Sequence, residues 1–346
     1  MQQRLSLVEL AQKIESEHRG KQDFVENTEK IEIEKRSVGF DLNVDGGHFP
    51  IRKEAHQQID GRLHVPIGWG NEWREKNGQN YADFVNGQFQ DAPEVRMIRT
   101  IHGETRAFLS NRYQRIENEE IASVVLPIFR DIPDIQIVSA EITHKRLYIQ
   151  AVTPRVHGDV KVGDRVQAGV TISNSEIGHG AVSIAPLVYR LVCLNGMIIP
   201  DKRFRANHVG RKLIDNEALY ADDTRQADDK AVLLKVRDNV RAALDESVFA
   251  TQVAKMTALT EGRIEGDPVK AIEVLAQKVN LDEDDRFSIL RELINGGDSS
   301  PWGIVNAVTS LANTEEDYDR SIELETAGGV LLDLPKAEWQ RVLQAN

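Results

Sequence analysis

The residues best suited by type to do chemistry are cations that gather in two stretches of an otherwise acidic chain. Arg96, Arg99, Arg106, Arg112 and Arg115 stand against one acid, and Arg190, Lys202, Arg203, Arg205, Arg211 and Lys212 against one more. A guanidinium presents a planar fork that takes two phosphate oxygens at once, so arginines repeated along a groove would follow the phosphates of a nucleic acid. Tyr113 and Phe204 lie among these charges, and a ring beside arginines can stack on an unpaired base at about 1 to 3 kcal/mol per base. The two stretches together predict a track for single-stranded DNA, provided the fold brings them onto one face. The competing reading makes each charge part of a solvated basic edge and each ring a core aromatic.

A second constellation would be catalytic. Cys193 is the single cysteine, and the nine histidines carry no HExxH or HxH spacing. A hydrolase would have to assemble His102, Glu176, His179 and His208 around a metal, or lower the pKa of Cys193 with His179 or His208. In its apolar strand Cys193 reads more simply as a small buried hydrophobe. The run Asn174-Ser175-Glu176-Ile177-Gly178-His179-Gly180 reads as a turn. Its amides would suit a phosphate, but its spacing is neither the Walker pattern nor the dinucleotide GxGxxG. The expectation is no cofactor, no metal and no turnover, with the metal- or thiol-dependent hydrolase as the alternative.

The elements that must position these residues come from periodicity. A short amphipathic helix at 5–17 is expected as a peripheral or oligomer-contacting arm. The alternating run 30–43 predicts a strand, 50–61 and 80–89 short helices, and the Gly- and Trp-rich VPIGWGNEW between them a loop. Hairpins are expected for 95–101 with 105–109 and for 136–142 with 146–153, and a strand pair for 165–172 with 181–194, followed by an Asn195-Gly196 turn. Glu117 to Arg130 predicts a helix capped by Asn118 and bent at Pro127. Helical spacing then dominates from Ala231 onward, beyond the acidic bridge DDTRQADD at 222–229. Ser300 and Pro301 open a helix there, with Trp302 on its buried stripe.

The reading is α+β: a largely antiparallel curved sheet over about residues 95–200, backed by helices on one side, with a helical C-terminal region. Residues 1–49 are expected as arm and strand, 50–212 as the α+β core, 213–230 as an acidic linker and 231–346 as the helical region. The net charge of −12 over 346 residues opposes a polyanion at long range, so any nucleic-acid surface must be local. One cysteine excludes an internal disulfide and fits a reducing compartment. With no leader-like N-terminus and no apolar run of membrane length, the expected location is the cytoplasm, with no membrane partner.

The phrases AFLSNRYQRIEN (107–118), VGDRVQAGVTISNSEIGHGAVSI (162–184), YRLVCLNGMI (189–198), HVGR (208–211) and SPWGIVNAVTSLAN (300–313) resemble, in order and wording, the phage- and plasmid-borne family called domain of unknown function 932. The resemblance spans roughly residues 50 to 330 and implies a setting in mobile-element DNA biology rather than a chemistry. The chain is more faintly similar to phage single-strand annealing proteins, which implies a curved sheet backed by a helix and assembly as a homo-oligomeric ring. The expected function is therefore single-stranded DNA binding or annealing in the bacterial host. A protein-interaction factor of a mobile element, working through its acidic exterior, is the further alternative.

Overall fold

The computed structural model of the chain describes residues 6–200, 205–206 and 222–346. Ser6 accepts the amide of Glu9 while the Glu9 carboxylate takes the amide of Ser6, and this capping box opens α1 (Leu7–Arg19). β1 (Lys21–Asn27) follows. The run 30–43 is two strands rather than one: β2 (Glu32–Lys35) and β3 (Phe40–Val44) pair about Gly39, whose φ of +73° suits glycine. β4 (Gly47–Pro50) completes a three-stranded sheet in the order β2-β3-β4.

α2 (Lys53–Arg62), α3 (Ile67–Lys76) and α4 (Gly78–Asp91) come next, and Ile59 of α2 with Tyr81, Val85 and Phe89 of α4 fills the core against Ile31, Ile33 and Leu42. The segment expected as a Trp-rich loop is α3. Trp69 and Trp73, one helical turn apart, lie 4.7 Å between ring centroids, and Trp73 goes on to meet Tyr81 edge-on at 5.7 Å. Side-chain packing thus overrides the local glycine signal. β5 (Val95–Ile101) and β6 (Glu104–Ser110) form the expected hairpin, and β1 pairs along the other edge of β5.

α5 (Asn118–Asp131) leads into the main sheet. Its cap is Glu117, not Asn118, and Pro127 lies within it. The sheet is built from β7 (Gln136–Ile142), β8 (Leu147–Lys161), β9 (Asp164–Asn174), β10 (Val182–Arg190) and β11 (Asn195–Ile198), in the order β11-β10-β9-β8-β7, with β12 (Arg205–Ala206) also pairing with β10. All pairings between the named strands are antiparallel. The single sheet expected over 95–200 is therefore divided, because β5 and β6 belong to the β1 sheet. The hairpin before β11 closes through Leu191–Leu194, with Leu194 at φ +53°, while Asn195-Gly196 is already strand. Buried Asn195 donates to Thr309 Oγ1 at 2.6 Å, a tertiary contact that outweighs its turn preference.

α6 (Asp222–Ala243), α7 (Glu246–Ala258), α8 (Pro268–Val279), α9 (Glu283–Gly296), α10 (Pro301–Ser310), α11 (Tyr318–Leu332) and α12 (Lys336–Leu343) complete the chain. Residues 222–229, expected as a bridge, form the first turns of α6, and Asp245 caps α7 within the region of helical spacing that begins at Ala231. Val170, Ile172, Val182 and Ile184 on one face of the sheet pack under α1, α5 and α6. Leu10 and Ile14 of α1 are 0% and 3% exposed there, so the N-terminal helix is docked on the core through one face rather than standing off as an arm. Helices cover both faces, not one, because α11 lies on the other: Tyr318, Asp319 and Glu325 bond Ser139, Tyr148 and Gln150. The α+β class holds. Among the described residues no helix is long and apolar enough to cross a membrane.

Candidate functional site

The loop joining β9 to β10 folds inward. Asn174, Ser175, Glu176 and Ile177 are at most 3% exposed, so their backbone is not an open cradle. Asn174 Nδ2 donates to Ile116 O and Asn118 Oδ1, both at 2.9 Å, and Ser175 Oγ donates to Lys145 O at 2.8 Å. Ser175 Oγ in turn accepts the His179 amide at 3.0 Å, closing a side-chain turn over the glycines. Gly180 adopts φ +148°, a conformation strained for other residues, and a Cβ there would fall 2.1 Å from the Arg146 guanidinium and displace it.

Glu176 is the hub of a buried ion cluster. Its carboxylate accepts from Lys21 Nζ at 2.5 Å, from Arg106 Nη1 at 2.7 Å and from the Asn118 amide at 2.7 Å. Burial alone would raise its pKa, but Lys21 and Arg106 outweigh that and hold the carboxyl far below its ordinary range. Arg99, 1% exposed, donates Nη1 to the Glu176 carbonyl at 2.8 Å, Nε to Asp23 at 3.0 Å and Nη2 to Glu117. Although burial opposes its charge, Glu117 and Asp23 push its pKa upward. Tyr113 donates to Ser175 O at 2.8 Å and accepts the Gly178 amide, so its phenol is a strap on the loop rather than a stacking platform.

These contacts correct most of the expected phosphate track. Arg99 and Arg106 are internal, Arg96 is bonded to Glu94 at 2.6 Å over the Phe108 ring, and Arg115 pairs with Asp23 at 3.4 Å. Arg112 is exposed and no ion pair is described for it. Arg190 is held by Asp164 through two bonds, at 2.5 and 2.9 Å, and Asp164 also accepts Trp302 Nε1 at 2.8 Å. Arg190 thus ties the sheet to the Ser300-capped α10. It also stands at the far end of β10 from the Glu176 loop, about 27 Å away at strand rise. Through their buried members the two cationic stretches do not share a face. Arg205 returns to the near end, its backbone pairing opposite Ser183, while Lys202, Arg203, Phe204, Arg211 and Lys212 lie outside the described residues.

The same geometry separates the catalytic candidates. Cys193 is exposed in the turn after β10, where Arg190 Nη1 donates to its sulfur at 3.0 Å. It is therefore neither buried nor near His179, which precedes the strand; His208 lies outside the described residues. Among the described residues no three His, Cys, Asp or Glu side chains are grouped to hold a metal ion.

The family described as domain of unknown function (DUF932) matches residues 107–315, more than half of the chain. The chain belongs to the DUF932 family. No curated protein and no solved structure gives a significant match. The DUF932 match covers the main sheet, the Glu176 loop and α10, so Tyr113, Glu117, Asn118 and Glu176 of the cluster fall inside it. Lys21, Asp23 and Arg99 come from strands that precede it, and Arg106 from β6, on which the match begins one residue later.

Sequence reasoning singled out Glu176, Arg99 and Arg106 but missed Lys21, Asp23 and Glu117 as their partners. Lys21 and Asp23 are charges with 8% and 16% of the side chain exposed on a short strand, and nothing local marks them as internal. It also missed the turn Thr143–Arg146 as a cationic point. Arg146 donates to the His179 carbonyl, exposed His144 faces Arg52 at 3.2 Å, and Lys145 keeps 41% of its side chain in solvent. This turn and β12 stand on either side of the 174–181 loop in the DUF932 fold.

Proposed function

We propose that the protein binds single-stranded nucleic acid through its phosphates, without turnover, at the end of the main sheet where the β7–β8 turn, the 174–181 loop and β12 meet. The carrying observation is the backbone pairing of Arg205 with Ser183, which sets that residue beside the loop that Arg146 grips. Lys145, which faces Asp319 at 3.7 Å but keeps 41% of its side chain in solvent, and Arg52, which pairs with Glu104 at 2.6 Å, add cations at this end. The buried arginines act beneath it, fixing the loop, and the acidic remainder confines a polyanion to this end. An exposed, unpaired Cys193 supports a reducing cytoplasm as its place of action.

Fluorescence anisotropy with single-stranded oligonucleotides at rising salt tests the reading. The affinity is expected to fall by about 0.7 log unit per tenfold salt for each phosphate neutralised. Lys145→Glu and Arg205→Glu should each weaken binding about tenfold. Absence of a complex at low salt, or indifference to both reversals, removes the proposal.

A further inference from the structure

We propose that the cleft between the first turns of α2 and α11, the β5–β6 hairpin and the β7–β8 turn is a site for a phosphate monoester. The cleft has a volume of about 430 Å³, and its walls include Arg52, His102, Arg106, Thr143, His144 and Lys145. Arg106 is the decisive group. It is 6% exposed, its Nη1 is committed to Glu176, and its Nε and Nη2 meet no acceptor. Those two nitrogens form the side-on edge of the guanidinium, which fits two oxygens of one oxyanion. A buried cationic edge without an acceptor costs stability; both nitrogens lie just beneath the cleft surface, so an oxyanion there meets them once the Arg106 side chain turns toward it.

Further donors reach the same space from other elements. α2 starts here with Arg52 at its cap and no side-chain cap bond, so the amides of its first turn remain unanswered and carry the positive end of the helix dipole. Lys145 lines the cleft from the β7–β8 turn. Donors spread over three directions suit the tetrahedral array of a phosphate better than the single plane of a carboxylate.

Four acids also line the cleft, and they do not make it a cation site. Asp317 is occupied by the amides of Asp319 and Arg320 at the α11 cap. Asp319 accepts the hydroxyls of Thr143 and Tyr148 and faces Lys145. Burial and the nearby Glu176 raise the pKa of Glu17, against the pull of Lys21 and Lys13. Glu54 stands in the first turn of α2, where it complements the helix dipole, and a cation beside it would confront the Arg106 guanidinium that shares the cleft.

The test is thermal melting and calorimetric titration of the full chain with inorganic phosphate, against chloride at matched ionic strength. Phosphate should raise the melting temperature where chloride does not. Arg106→Lys keeps a charge for Glu176 but has no planar edge, and should weaken phosphate about tenfold. Lys145→Ala, at a half-exposed position that does not threaten folding, should weaken it a few-fold. Single strands with a 5′-phosphate or a 5′-hydroxyl then identify the source. A preference for the phosphorylated end assigns the monoester to a strand terminus, and phosphate protection without that preference assigns it to a small phosphorylated metabolite. The inference is overturned if phosphate acts no differently from chloride, or if both substitutions leave its effect unchanged. Phosphate protection in a chain that binds no oligonucleotide would keep this site and remove the nucleic-acid reading.

Discussion

Two buried carboxylates, one at the end of the main sheet and one against its face, are stabilised in contrary ways. Glu176 sits among Lys21, Arg106 and the Asn118 amide, and stays ionised. Glu325 of α11, buried, meets the neutral Gln150 side chain and the Gly196 amide. Burial pushes the Glu325 pKa up to about 7, more than these two hydrogen bonds pull it down. Buried charge is kept where the fold has gathered counter-charges from several strands, and given up where it has not. The first region is a rigid ionic plug under a loop; the second is a seam between sheet and helices that answers to pH.

Breaking the plug should have the largest effect. Glu176→Gln removes the counter-charge of buried Arg106 and leaves Lys21 with Glu117 alone, and loss of one partner of a buried pair typically costs about 3 to 5 kcal/mol. Urea denaturation at neutral pH measures it. A loss below about 1 kcal/mol would mean that water reaches the cluster and that the plug is not structural. Because the Glu176 pKa is depressed, its contribution is present above the ordinary carboxylate range and fades as acid is added below it.

The seam should respond with the opposite sign. The folded chain holds the Glu325 proton up to about pH 7, whereas the unfolded chain releases it near the usual 4.5. Stability therefore falls as pH rises through that window, by an amount on the order of 3 kcal/mol. Glu325→Gln keeps a neutral hydrogen-bonding group in place, so it should stabilise the chain above pH 7 and make no difference near pH 4. Melting temperatures of both chains between pH 4 and 8 decide this. Parallel curves would show that the seam does not titrate.

The contrast also explains what was legible in the sequence. Periodicity revealed the α5 helix, the β5–β6 and β7–β8 hairpins and the Ser300-capped α10, because each is dictated by residues a few positions apart. It failed where distant residues decide. The α3 helix depends on Trp73 meeting Tyr81 of the next helix, and the strand at Asn195-Gly196 on Thr309, more than a hundred residues away. The arginines were visible as charges, but whether they face solvent depends on acids such as Asp23, 76 residues from Arg99. Charge is written in the sequence; its partner is written in the topology.

Arg112 sharpens the comparison from the smallest effect. Arg99 and Arg112 belong to one sequence cluster and look equivalent in it, yet one is enclosed by Asp23 and Glu117 and the other is exposed with no ion pair described. Arg112→Ala should alter stability by less than about 0.5 kcal/mol, as surface changes away from any network do. If the nucleic-acid surface extends from the 174–181 loop across the Ser110–Tyr113 turn beside it, the same substitution should still lower oligonucleotide affinity and reduce its salt dependence by about one phosphate. Unchanged binding would confine the surface to the β7–β8 turn and β12. A large loss of stability would instead show that Arg112 has a counter-charge, and that its end of the cluster is as internal as Arg99.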